Sequence, residues 1–78
     1  MNIKMQIISN KEMLDYIDDI IDFNCKYLLT YNKDSNTWVA CDNSTGNKWV
    51  EEFKDLKTSI EWLKGEFEVG SFNYENYI

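Results

Sequence analysis

The stretch KYLLTYNKDSNTWVACDNSTGNKWVEEF, from Lys26 to Phe53, decides the fold. It holds three strand-like segments at a regular interval: Lys26 to Tyr31, Thr37 to Asp42 and Lys48 to Phe53. The connectors, Asn-Lys-Asp-Ser-Asn over 32–36 and Asn-Ser-Thr-Gly-Asn over 43–47, are made of turn residues, so the stretch reads as an antiparallel meander. A type I turn with Gly46 in the left-handed position puts Cys41 opposite Trp49 and Ala40 opposite Val50. Centring the first turn on Asp34 puts Leu29 opposite Val39 and Tyr27 opposite Cys41. This register sorts the side chains into two faces. Tyr27, Leu29, Tyr31, Val39, Cys41, Trp49 and Phe53 form an apolar one. Leu28, Thr30, Trp38, Ala40 and Val50, mixed with Lys48 and Glu52, form the other. Glu51 falls on the apolar face and is expected at its edge.

Outward from the meander, Asp55 caps a second helix from Leu56 to Lys64, and Gly65 stops it. Leu56, Ile60 and Leu63 make its buried stripe, and Ser59 lets it approach the sheet closely. On the other side, Ile3, Met5 and Ile7 alternate with Lys4 and Gln6 as a short first strand. Ser9 and Glu12 have capping-box spacing. Met13, Leu14, Ile17, Ile20 and Ile21 then share one face of a helix running to about Phe23, with Asn24 as its stop. The tail from Glu66 to Ile78 alternates Phe67 with Val69 and suits an edge strand or an irregular segment. The expectation is one α+β domain over residues 1–78, ordered β-α-β-β-β-α plus an aromatic tail. It has a small antiparallel sheet of three to four strands and two helices on one face.

A domain of 78 residues buries only about 60% of the surface its unfolded chain exposes, which leaves little room for an enclosed substrate cleft. Twelve aromatics suit a small core, and they also anchor interfaces. The net charge is −6, with no arginine, which disfavours direct binding to nucleic acid or to an anionic membrane. No apolar run approaches the roughly 20 residues of a membrane span, and the start lacks a signal peptide's apolar stretch. Cys25 and Cys41 form no CxxC, and without histidine they complete no zinc site and no cysteine–histidine pair. They read as two buried thiols in a reducing cytosol. Glu51 and Glu52 are adjacent on a strand, so they point to opposite faces and cannot flank one scissile bond. The expectation is a cytoplasmic, non-enzymatic protein with no cofactor and no metal.

The acids are unevenly placed. Residues 12–25 hold five acids and no lysine, and residues 66–78 hold three acids and no lysine. Residues 26–65 are neutral, with six of each sign. On the expected first helix, Asp15, Asp18, Asp19 and Asp22 fall at i, i+3, i+4 and i+7 as one stripe. A solvated face explains such a stripe. So does a partner, because an all-aspartate stripe accepts like-charge neighbours and a poor helix former. Aspartates spaced about 5–6 Å apart then resemble a row of phosphates. Trp38, on the less apolar sheet face, is either covered by the chain or an exposed anchor.

The segment from Thr37 to Phe53, followed by a capped helix ending in Glu-Trp-Leu-Lys-Gly, resembles small proteins of phages and mobile elements in low-GC Gram-positive bacteria. The resemblance covers about a third of the chain and is one of size, charge and style. A recurrent acidic subset of such proteins are anti-CRISPR proteins, which occupy a nucleic-acid site on a Cas protein. The resemblance implies an inhibitor of a nucleic-acid-handling host defence protein, acting inside the bacterial cell. Its binding surface would be the stripe Asp15, Asp18, Asp19 and Asp22, extended by Glu66, Glu68 and Glu75 and anchored by Trp38 or Tyr74. The alternative is a homodimeric interaction module using the aromatic sheet face, with the acids conferring only solubility.

Overall fold

Two loops set the register of the sheet in the computed structural model, which describes residues 4–66. In the first loop, Asn32 Oδ1 accepts the Asp34 N–H at 3.0 Å and Asn36 takes a positive φ of 56°. This closes the chain with Asn32 opposite Thr37. In the second, the Gly46 N–H donates to the Asn43 carbonyl at 3.2 Å, with Gly46 at φ 87°. Asn43 Oδ1 then accepts the Lys48 N–H at 3.0 Å, and Lys48 turns the chain at φ 48°. The last pair is therefore Asp42 with Trp49.

Side-chain hydrogen bonds thus close both loops, and each register differs from the sequence reading by one residue. Leu29 faces Ala40 instead of Val39, Tyr27 faces Asp42 instead of Cys41, and Cys41 faces Val50 instead of Trp49. The strands are β1 (Met5–Ile7), β2 (Tyr27–Asn32), β3 (Thr37–Asp42) and β4 (Trp49–Phe53). A one-residue slip reverses a strand's faces, so β3 is turned over relative to the expected sheet. Trp38 and Ala40 share a face with Tyr27, Leu29 and Phe53, while Val39 and Cys41 share the other with Leu28, Thr30 and Val50.

The helices are α1 (Asn10–Ile17) and α2 (Leu56–Leu63). The sheet order is β1-β2-β3-β4; β1 is parallel to β2 and the other pairs are antiparallel. The fold class is therefore α+β with a mixed, mostly antiparallel sheet. Its one parallel pair follows from the crossover through α1, which carries the chain back to the end where β1 began.

The helices lie on opposite faces, not on one. Ile8, Met13, Tyr16, Cys25, Leu28 and Cys41 form one core cluster beneath α1. Leu29, Ala40, Phe53, Trp62 and Leu63 form the other beneath α2. Leu28, Leu29 and Thr30 are consecutive and all at most 2% exposed, which requires cover on both faces. The coverage is offset: α1 packs over β2, and α2 over β3 and β4.

The predicted caps are present. Ser9 and Glu12 bond each other's backbone N–H, at 3.1 and 3.0 Å. Asp55 accepts from the Thr58 N–H at 2.7 Å and its hydroxyl at 2.8 Å. Ser59 is fully buried against the sheet. Helix α1 is shorter than expected, ending at Ile17 with Asp18 as its cap. Asp19 adopts φ 61° and donates its N–H to the Tyr16 carbonyl at 3.2 Å, while the Ile20 N–H reaches the Asp15 carbonyl at 2.8 Å. This is a Schellman stop with aspartate in the usual glycine place. The buried face is also turned toward Tyr16, which is 1% exposed, leaving Leu14 62% and Ile20 68% exposed.

Candidate protein-binding surface

The early end of α1 removes the regular aspartate stripe and puts an acidic cluster in its place. Asp15 lies on the helix, Asp18 caps it, Asp19 follows in the left-handed turn, and Asp22 sits in the loop beyond. Asp15 Oδ2 pairs with Lys11 Nζ at 3.0 Å. Asp19 pairs with Lys48 Nζ, which also donates to the Tyr16 carbonyl at 2.7 Å. Asp22 Oδ1 accepts the Phe23 N–H at 2.8 Å. Among the described residues, no lysine lies within ion-pair distance of Asp18 or Asp22, and both are exposed.

Lys48 ties this cluster to the sheet. Its ammonium sits 4.2 Å above the Tyr16 ring, and the Tyr16 hydroxyl accepts from Asn43 Nδ2 at 2.8 Å. The hydrogen bond to Asp19 is the main cause holding the Lys48 ammonium above its ordinary pKa. Burial is the main cause raising Tyr16. A cation against the last carbonyls of a helix offsets the negative end of its dipole. Sequence reasoning missed this role, because Lys48 lies 32 residues from Tyr16 and only the folded loop joins them.

Asp18, at the C-cap and without an ion pair among the described residues, opposes the helix dipole. No base of α1 itself occupies its last turn, and an unpaired acid there costs about 0.3–1 kcal/mol. Asp19 is paired with Lys48, and Asp22 lies beyond the turn the dipole reaches. Two non-glycine residues in left-handed conformations, Asp19 and Lys48, meet in one ion pair.

The apolar residues near the cluster were expected in the core. Leu14 and Ile17, 62% and 37% exposed, lie beside the half-buried Val39 and Val50 along a groove between α1 and β3–β4. The signal in the sequence was that apolar residues occupy more of α1 than one buried face needs.

Trp38 lies on the α2 face, where the reversed β3 places it. It is half-buried, with its ring 5.2 Å from that of Tyr31. Trp49, expected in the core, is 58% exposed, and its Nε1 donates to Glu51 Oε2 at 2.6 Å on the edge strand. Glu66 is exposed after α2, apart in sequence and element from the aspartates. Glu68, Tyr74 and Glu75 lie outside the described residues.

Both thiols are free and buried, and burial pushes Cys41 up to about 11. Among the described residues, no group of three or more His, Cys, Asp or Glu is placed to hold a metal ion. Among the same residues, no helix is long and apolar enough to cross a membrane. Comparison with protein-family models, curated proteins and solved structures returned no match.

Proposed function

We propose that this chain is a small, non-enzymatic binding protein that docks on a basic surface of another protein. The observation that carries this reading is the cluster at the end of α1. Asp18 and Asp22 are exposed there with no lysine in ion-pair distance among the described residues, beside the exposed Asp19. Exposed acids that no lysine neutralises are free to meet a basic surface. A protein that handles nucleic acid presents the complementary surface. The resemblance in size, charge and style to acidic phage proteins makes a host defence protein, such as a CRISPR effector, the partner class. Binding there blocks the nucleic-acid site by charge and bulk, without a phosphate-like row.

The test is affinity capture from lysate of a bacterium carrying CRISPR and other defence systems. The native chain and an Asp18→Lys, Asp22→Lys variant are compared side by side. The native chain should retain a nucleic-acid-binding protein that moderate salt releases, and the variant should lose it. Equal retention by both overturns the reading.

A second reading has its own support. Ile7, Tyr31 and Trp49 are 66%, 38% and 58% exposed on the α2 face of the sheet. An interaction module or homodimer would use this aromatic face, and Trp49→Ala rather than the double lysine variant would then abolish capture.

A further inference from the structure

We infer that the groove between α1 and the β3–β4 hairpin seats a cationic amphipathic helix of the partner. This rests on the reading of the chain as a protein-binding domain and names the partner's chemistry.

The groove encloses about 340 Å³. Its floor is Val39 and Val50, one wall is Leu14 and Ile17, and Asp34 and Glu52 stand among its lining. No lysine lines it. On the opposite face the same two strands are covered by α2, so Phe53 and Ala40 are almost fully buried. On this face α1 packs over β2 and leaves Val39 and Val50 half-buried. Among the described residues, no helix covers β3 and β4 on this face.

A helix laid beside α1 would complete it. Helices pack about 8–10 Å apart, and a stripe at i, i+3 or i+4, and i+7 is the ordinary way a helix fills an apolar groove. Charge chooses between occupants. The acids Asp34 and Glu52, with exposed Asp18 one turn beyond Leu14, favour lysine or arginine beside the apolar stripe. A second copy would bring more acid to an acidic surface, on a chain of net charge −6.

The test uses two fluorescent peptides of identical leucine and lysine composition. In one, the leucines recur at helical spacing; in the other their order is scrambled. Titration is followed by fluorescence anisotropy and by amide NMR. The amphipathic peptide should bind at least about tenfold tighter, the size expected from burying one or two leucine side chains. It should shift the amides of Leu14, Ile17, Val39 and Val50. A Leu14→Ser, Ile17→Ser variant should lose that advantage and still bind the scrambled peptide weakly. Equal binding of the two peptides, or shifts confined to residues 18–22, overturns the groove and leaves the acidic docking reading standing. A dimer in sedimentation that the serine variant dissolves also overturns it, because a second copy is then the occupant. If the amphipathic peptide binds as expected but the double lysine variant captures as well as the native chain, the groove stands and the proposed function fails.

Discussion

Asp19 and Lys48 show how single residues divide between stability and use. A left-handed non-glycine residue costs up to about 1–2 kcal/mol, less for aspartate, whose short polar side chain bonds locally. Asp19→Gly relieves that cost while losing the Lys48 pair. Its unfolding free energy from urea titration is therefore expected to be unchanged or higher, by up to about 1 kcal/mol, while partner binding weakens. A clear loss of stability would mean that the pair, and not function, keeps the aspartate there. Lys48 is raised above its ordinary value, mainly by Asp19. Its contribution is thus complete below the unfolded lysine pKa and is lost only as pH rises through the higher folded value, leaving neutral pH without effect. Cys41, pushed up to about 11 by burial, carries almost no thiolate at neutral pH. Ellman's reagent should leave both thiols unmodified in the native protein and titrate both in urea. Rapid native reaction would contradict the burial of Cys25 and Cys41.

At the scale of elements, the caps and the turned face of α1 make separate tests. Asp55→Ala should destabilise by about 0.5–2 kcal/mol, because the Thr58 N–H loses its acceptor. The Thr58 backbone bond, then its hydroxyl, hold the Asp55 carboxyl below its ordinary value. That contribution is full above the unfolded aspartate pKa of about 3.9 and is lost as pH falls through the lower folded value. An acid titration of thermal stability should therefore be shallower in the alanine variant. Helix α1 separates its two apolar sides. Met13, 2% exposed, should cost about 2–5 kcal/mol as alanine. Leu14, 62% exposed, should change stability by no more than about 0.5 kcal/mol as alanine. Similar losses at both positions would restore the helix face read from sequence periodicity.

For the whole molecule, charge and shape act together. A net charge of −6 steers the chain toward basic surfaces, and the attraction is screened over about 10 Å at 0.1 M salt. Association with the captured partner should slow steeply between low and physiological salt, with dissociation changing far less. Stopped-flow measurement at several salt concentrations checks this; a salt-independent association rate would assign the acids to solubility. The offset helices give each face of the sheet a covered side and an open side. That explains how a domain this small has two clusters of buried residues and still exposes Leu14 and Ile17 beside one open side and Ile7 and Tyr31 on the other.

Local chemistry alone determined the six elements, their order and both helix starts. Caps, turn residues and apolar segments act within a few residues and are read directly. The α+β class followed from them, as did the burial of Ser59 and the left-handed Gly46. Tertiary structure decided what depends on distant partners. Asn32 and Asn43 closed their loops with side-chain bonds, that of Asn43 shared between Lys48 and Tyr16, and one residue of slip at each turned β3 over. Tyr16 took the core position because Asn43 could satisfy its hydroxyl, so the helix face turned away from Leu14. Asp19 ended α1 early in the left-handed place of a Schellman stop, and Lys48, brought across by the sheet, pairs with it there. Of the candidate surface, the concentration of acid around α1 was legible, since composition and sequence position carry it. The pairing of those acids and the apolar groove beside them were not. A period of 3.6 residues says which side chains share a face, but only packing decides which face is covered.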